Sequence, residues 1–235
     1  MSRQDRFERL LAAVDNEDVD EVRRLADEYR SVPLTVGDLD DPLSRAVQKE
    51  YCDVVEALLM RGRADVNRTF DGGRRIIHVA AEVGNVMILR MVISAGSPVN
   101  PVDRNGISPL HVCIEHGHRE AAVVLINAGA MVNRPRRYDN GEGPVHCAAR
   151  HGMSDLLRFI IRKGGYLEQR SADGSTPLHL AVREKHAGCT ELLCVAGASV
   201  NSSDARGMTP FILAVQQVQQ ILQRYTPGCH NDICM

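Results

Sequence analysis

The sequence predicts an all-α solenoid of stacked helix-turn-helix pairs joined by hairpin-like finger loops. Three observations carry that expectation: a short phrase returning about every 33 residues, a glycine keeping the same beat, and apolar runs of helical length between them. The phrase reads Ser108-Pro109-Leu110-His111, Gly143-Pro144-Val145-His146 and Thr176-Pro177-Leu178-His179. Weaker copies stand at Asp41-Pro42-Leu43-Ser44, Arg75-Ile76-Ile77-His78 and Thr209-Pro210-Phe211-Ile212. Its second residue falls at 42, 76, 109, 144, 177 and 210, in steps of 34, 33, 35, 33 and 33. The glycine marker falls at Gly62, Gly96, Gly129, Gly164 and Gly197. Two markers in phase over this many periods define a repeat architecture.

Each element of the repeat has a local cause. Ser or Thr before Pro can cap a helix, and Pro at the first helical position gives up only a donor that would have been orphaned. The stretch that follows, such as Leu178, Leu180, Ala181 and Val182, makes a thin inner helix. Alanine pairs, Ala80-Ala81 and Ala148-Ala149, let the next layer approach closely. Gly84, Gly117 and Gly152 suit the left-handed turn that closes this helix. A second run, Ala121 to Ile126, gives an outer helix ending at the periodic glycine. Beyond it an extended piece (Val66-Asn67, Val99-Asn100, Val132-Asn133, Val200-Asn201) leads to an Asp-x-x-Gly turn, as at Asp103 to Gly106 and Asp204 to Gly207.

Thr-Pro-Leu-His at a 33-residue period resembles the ankyrin repeat, from about Arg6 to about Gln220 and most strongly over Gly106–Asn133 and Gly174–Asn201. The resemblance implies one domain over 1–225. It comprises a capping helix pair at 6–29, repeats near 39–70, 71–102, 103–135, 136–170 and 171–203, and a partial repeat at 204–225. Residues 226–235 form a tail. In this family the fingers and the concave wall of inner helices are the usual docking surface, and the phrase histidine bonds backbone and cap groups between layers. The implied function is a non-enzymatic protein–protein interaction module or scaffold, monomeric by itself.

The ends depart from the pattern in an orderly way. Leu11-Ala12-Ala13 and Val22-Arg23-Arg24-Leu25 read as a helix pair without a leading turn, with the charged outer face a terminal cap needs. Residues 30–40 replace a finger by an irregular Pro- and Gly-containing connection. From Pro210 to Tyr225 there is no turn glycine, and the run Gln216-Gln217-Val218-Gln219-Gln220 suggests a polar closing helix. A related possibility is a chain that stops inside a repeat of a longer parent.

Composition narrows the function classes. Apolar residues at 44% and charged residues at 25% fit a folded protein rather than a disordered one. The start is charged and no apolar run approaches the roughly 20 residues of a membrane span, so the expected location is the cytosol or nucleus. Seven cysteines, mostly in apolar helical stretches, read as reduced small hydrophobes. Residues 1–60 carry 15 acidic and 8 basic side chains, a balance of −7, whereas residues 61–235 carry 15 and 20, a balance of +5. All but Lys49, Lys163 and Lys185 of the 28 basic residues are arginine, whose fork suits bidentate contacts.

The candidate docking residues follow from the fingers. Read in order they offer Arg68, Phe70 and Arg74, then Arg104, then Arg134, Arg136, Arg137 and Tyr138, then Arg170, then Arg206. From Val-Asn to the turn glycine takes six positions in most repeats but eight from Asn133 to Gly141, and insertions in solenoids often map to the binding face. This longest, most basic finger is therefore expected to contact an acidic or phosphorylated partner segment through Arg136 and Arg137. Glu115, Arg150 and His151, just past the apolar stretches of the inner helices, are expected to extend the same surface.

Other chemistries fare worse. His78, His111, His146 and His179 lie one layer apart, about 10 Å, too far to share one ion. Cys229-His230 with Cys234 supplies only three ligands, so neither metal nor cofactor is expected. No Gly-x-Ser-x-Gly, phosphate loop or His-Glu-x-x-His occurs, which argues against an enzyme. Nucleic acid would need a stacking platform, and only Phe70 and Tyr138 lie near the arginines. A substrate-recruiting subunit of a cullin-type ubiquitin ligase is the alternative. Those adaptors add a carboxy-terminal docking box, for which Thr226–Met235 is short.

Overall fold

The computed structural model describes residues 3–28, 42–61, 64–137 and 140–225, which fall into two compact units, Met1–Asp139 and Asn140–Met235. Among the described residues the regular elements are thirteen α-helices and one 3₁₀ turn at Asp71–Gly73. The only strand-like feature among them is a lone antiparallel bridge between Thr69 and Arg75.

The first unit holds four helix pairs. The pairs are α1 (Arg3–Asp15) with α2 (Val19–Glu28), α3 (Pro42–Gln48) with α4 (Cys52–Met60), α5 (Ile76–Val83) with α6 (Val86–Ser94), and α7 (Pro109–Glu115) with α8 (Arg119–Asn127). Odd-numbered helices pack on one another in an inner row and even-numbered ones in an outer row. Leu10, Leu43, Ile77 and Leu110 fill the inner row, and Leu25, Leu58, Leu89 and Leu125 the outer row, each at most 1% exposed. Helices α1 and α2 stand where the sequence placed a capping pair. Its exposed face is laced by Arg24–Glu21, Arg9–Glu21 and Arg23–Asp20 ion pairs. Asp15 reaches across to the next layer, bonding Lys49 at 2.9 Å and Arg45 at 2.7 Å. The hydrogen bond from Lys49, with further help from Arg45, holds the Asp15 carboxyl below its ordinary value against the opposing effect of burial. The irregular connection expected at 30–40 lies outside the described residues.

The second unit holds α9 (Pro144–Arg150) with α10 (Ser154–Arg162), α11 (Pro177–Arg183) with α12 (Ala187–Val195), and α13 (Pro210–Tyr225). Helices α9, α11 and α13 stack in one row, and α10 packs on α12. Three inner helices of the chain begin with the expected Pro at the first position after an extended Ser108, Gly143 or Thr176. Here α13 runs unbroken past the place where other layers turn. The expectation of a polar closing helix needs correction. Its glutamines are there, but Phe211, Val215 and Val218 are 61%, 40% and 55% exposed, so the face is apolar as well. The expected tail, 226–235, lies outside the described residues.

Candidate functional site

The fingers are built from main-chain bonds anchored by aspartate. Asp103 Oδ1 accepts the amides of Asn105 and Ile107, both at 2.9 Å, and Asp204 Oδ1 accepts those of Arg206 and Met208, also at 2.9 Å. Asp173 Oδ1 takes the Ser171 hydroxyl and the Ser175 amide. Burial alone would raise its carboxyl, yet these bonds and Arg183 nearby bring it down to about 2. Successive fingers are then stitched together. The Arg104 amide donates to the Gly72 carbonyl at 2.7 Å, Ala172 to Asn140 at 2.6 Å, and Ala205 to Asp173 at 2.9 Å.

This stitching fixes the register of the longest finger. A side chain added at Gly73 would meet the Arg104 backbone, and one added at Gly106 would meet that of Arg137. Arg137 therefore holds the place of Arg104, and Arg136 the place of Asp103. The extra positions come after Arg137, before Gly141. Asp204 and Ser171, at the same place in other fingers, are only 9% exposed, and Arg136 is likewise buried, at 6%. Its guanidinium bonds the carboxylate of Glu115 on α7. The expectation that Arg136 projects outward as a docking fork is thus corrected. Arg137 is exposed, and Tyr138 lies outside the described residues.

Several other predicted residues hold the fold's own groups. Arg134 Nη1 donates to the Asn100 carbonyl at 3.1 Å, one finger back. Arg170, though exposed, donates to the carbonyls of Gly174 and Ser203 at 3.2 and 2.6 Å, the latter one finger onward. Arg74 pairs with Glu82 eight residues along, across the angle between finger and inner helix. The second unit repeats this geometry with the charges exchanged: Glu142, 6% exposed at its side chain, takes Arg150 at 3.2 Å, also eight residues along. Arg183 lies 3.6 Å from Asp173 and 3.9 Å from Asp204. Arg68 and Phe70 are half-buried, the Phe70 amide closing its turn on the Arg74 carbonyl at 2.7 Å. Arg104, Arg206 and His151 stand exposed.

The phrase histidines are fully buried, and His78, His146 and His179 each clasp two layers. His78 Nδ1 accepts the Arg75 amide of its own helix cap at 3.0 Å, while Nε2–H donates to the Ile107 carbonyl of the next layer at 3.2 Å. His146 repeats this with Gly143 and Ser175, and His179 with Thr176 and Met208. The Ser108 and Thr176 hydroxyls lie 2.8 Å from the same Nδ1 of His111 and His179, so these cap residues work through histidine. Burial lowers the pKa of His78 and His146, which favours the neutral ring that makes the clasp. Cys113, buried on α7, has its thiol pushed up to about 12 by desolvation, which leaves it protonated and inert.

A second histidine series escapes sequence reasoning. His118 Nε2 donates to the Glu82 carbonyl at 2.8 Å, and His186 Nε2 to the Arg150 carbonyl at 2.8 Å. Each ring lies where a Cβ on the preceding layer's turn glycine would stand, at Gly84 and Gly152 respectively. The available signal was a histidine directly after the inter-helix turn, present in only two layers.

Stacked helix pairs whose loops are laced by main-chain bonds define a helical-repeat protein. The particular repeat is the ankyrin repeat. The chain matches the family described as Ankyrin repeats (3 copies) over residues 43–136, 129–204 and 145–225, and it belongs to that family. The crystal structure of the ankyrin repeat domain of Bcl-3 superposes with a TM-score of 0.78 at 22% identity, covering 92% of this chain and 97% of that one. Tyrosine-protein kinase HTK16 of Hydra vulgaris is 27% identical over 137 residues, 57% of this chain and 18% of the kinase. Human ankyrin repeat and SOCS box protein 16 is 30% identical over 112 residues, 48% of this chain and 24% of that protein. The chain therefore spans a minor part of these relatives' length. Its repeats make it a protein–protein interaction module. Among the described residues no helix is long and apolar enough to cross a membrane.

Proposed function

We propose that this module works without chemistry of its own and captures an acidic or phosphorylated protein segment along its fingers. One observation carries the reading: Arg104 and Arg137 occupy the same position in successive fingers, both exposed, each with its backbone against the preceding turn glycine. Fingers stacked at the helix spacing set the two arginine backbones roughly 10 Å apart, a span that two flexible side chains and an extended segment can bridge. Guanidinium forks favour carboxylate and phosphate oxygens, and such exposed contacts weaken with salt. The test is fluorescence anisotropy with polyglutamate and phosphoserine peptides. Arg104→Glu with Arg137→Glu is expected to abolish binding without lowering thermal stability; undiminished binding would sink the proposal.

A second reading draws on the likeness to human ankyrin repeat and SOCS box protein 16: recruitment of substrates to a ubiquitin ligase. Pull-down of a cullin or elongin with the full chain would favour it, and failure in both would remove it.

A further inference from the structure

We infer, resting on the capture of acidic segments proposed above, that Asp71 sets the order of charges the finger edge accepts. The docked segment carries a basic residue against Asp71 and acidic or phosphorylated residues against Arg104 and Arg137. The main chain puts Asp71 in register with the two arginines. The Phe70 amide closes its turn on the Arg74 carbonyl at 2.7 Å, as Asp103 closes on Ile107 at 3.1 Å and Asp204 on Met208 at 2.8 Å. Each of these turns contains a glycine of positive φ just before its closing carbonyl residue: 79° at Gly73, 77° at Gly106 and 76° at Gly207. The residue directly after the closing amide is Asp71, Arg104 and Ala205 respectively. The bonds between fingers agree, since the Arg104 amide donates to the Gly72 carbonyl as the Ala205 amide donates to that of Asp173. Asp71, Arg104 and Arg137 therefore form one row of equivalent fingertip positions, and all three are exposed.

The turn itself does not need these charges. In the second unit the same position holds Ala172 and Ala205, with the same main-chain bonds. Charges at the root of the fingers are already neutralised, Arg74 by Glu82 and Arg136 by Glu115. Those of the fingertip row face outward. Successive fingers are roughly 10 Å apart, beyond the Debye length of about 8 Å at physiological salt, so the attraction between Asp71 and Arg104 is largely screened. A charge on a docked segment comes closer. An acidic group over Asp71 is repelled and a basic one held, so the edge discriminates by the order of charges as well as by their sign. An extended segment advances about 3.3 Å per residue, which places its three charges about three residues apart.

The test is fluorescence anisotropy of the full chain with end-capped peptides of equal net charge: Lys-Ala-Ala-Glu-Ala-Ala-Glu, its reverse, and Glu-Ala-Ala-Lys-Ala-Ala-Glu. One of the two peptides with a terminal lysine is expected to bind about threefold tighter than the one with a central lysine. Which of the two it is gives the direction of the segment along the edge. Asp71→Arg should erase this preference and bind Glu-Ala-Ala-Glu-Ala-Ala-Glu about threefold tighter than the wild type does. Asp71→Ala, which carries the residue of the second unit's fingers, should erase the preference as well. Equal binding of the three peptides, or a preference that survives both substitutions, overturns the inference and leaves the capture of acidic segments standing. If the wild type binds neither these peptides nor polyglutamate, both fall together.

Discussion

The guanidinium of Arg136 is buried against the carboxylate of Glu115, a residue 21 positions earlier on α7. Arg136 therefore belongs to the structure of its finger, and its neighbour Arg137 to the surface. Removing one partner of a buried pair leaves a charge without its counterion, at up to 3–5 kcal/mol, and partial exposure of Glu115 reduces that figure. Arg136→Glu is expected to cost about 2 kcal/mol in urea unfolding, clearly more than Arg137→Glu at its exposed neighbour. Equal and small effects would show that the pair contributes nothing.

The buried histidines predict an acid-sensitive stack. Burial lowers the pKa of His78 and His146 below the ordinary 6.5, so the unfolded chain binds more protons than the folded one between the two values. Stability then rises with pH across that window. The contribution is complete above about pH 6.5, declines as pH falls toward the folded values, and is gone below them. For His78, Arg74 adds to the lowering while the Ile107 carbonyl and Asp103 oppose it. Urea midpoints measured from pH 8 to 5 should fall below about pH 6.5, and less steeply in a His78→Gln, His146→Gln variant. A midpoint flat through pH 6 would refute the clasp's neutrality.

The architecture was legible because the repeat period is set by local causes: Pro109, Pro144 and Pro177 start helices, and Gly84, Gly117 and Gly152 end them with φ of 79°, 78° and 66°. The site was less legible because finger arginines look alike in sequence, whichever way they point. Counting placed the insertion between Asn133 and Gly141, but only the Gly106–Arg137 contact shows that it follows Arg137 and turns Arg136 inward. The finger-to-helix pairs were hidden similarly. Arg74–Glu82 and Glu142–Arg150 share one spacing with opposite polarity, so no charge pattern repeats.

Three layers make the inter-helix turn without glycine, through Glu17, Glu50 and Lys185 at φ of 55°, 60° and 61°. A side chain in this left-handed region costs of the order of 1 kcal/mol, which glycine avoids. Lys185→Gly is therefore expected to stabilise the chain by roughly 0.5–1 kcal/mol, raising Tm by about 1–4 °C. A lowered Tm would mean that the lysine contributes more than its backbone costs.

The contact between His118 and Gly84 offers a sharper test of how the layers lock. A Cβ at Gly84 would lie 2.3 Å from the ring of His118, which simultaneously donates to the Glu82 carbonyl. Gly84→Ala thus meets two penalties: the left-handed backbone, at φ of 79°, and displacement of the ring. Only the second depends on histidine. In the wild type the substitution is expected to cost about 3 kcal/mol, and in a His118→Ala background about 1 kcal/mol, the backbone part alone. The double-mutant cycle should therefore show coupling near 2 kcal/mol. Coupling close to zero would mean that ring and turn are independent, and that His118 does not clamp one layer onto the next.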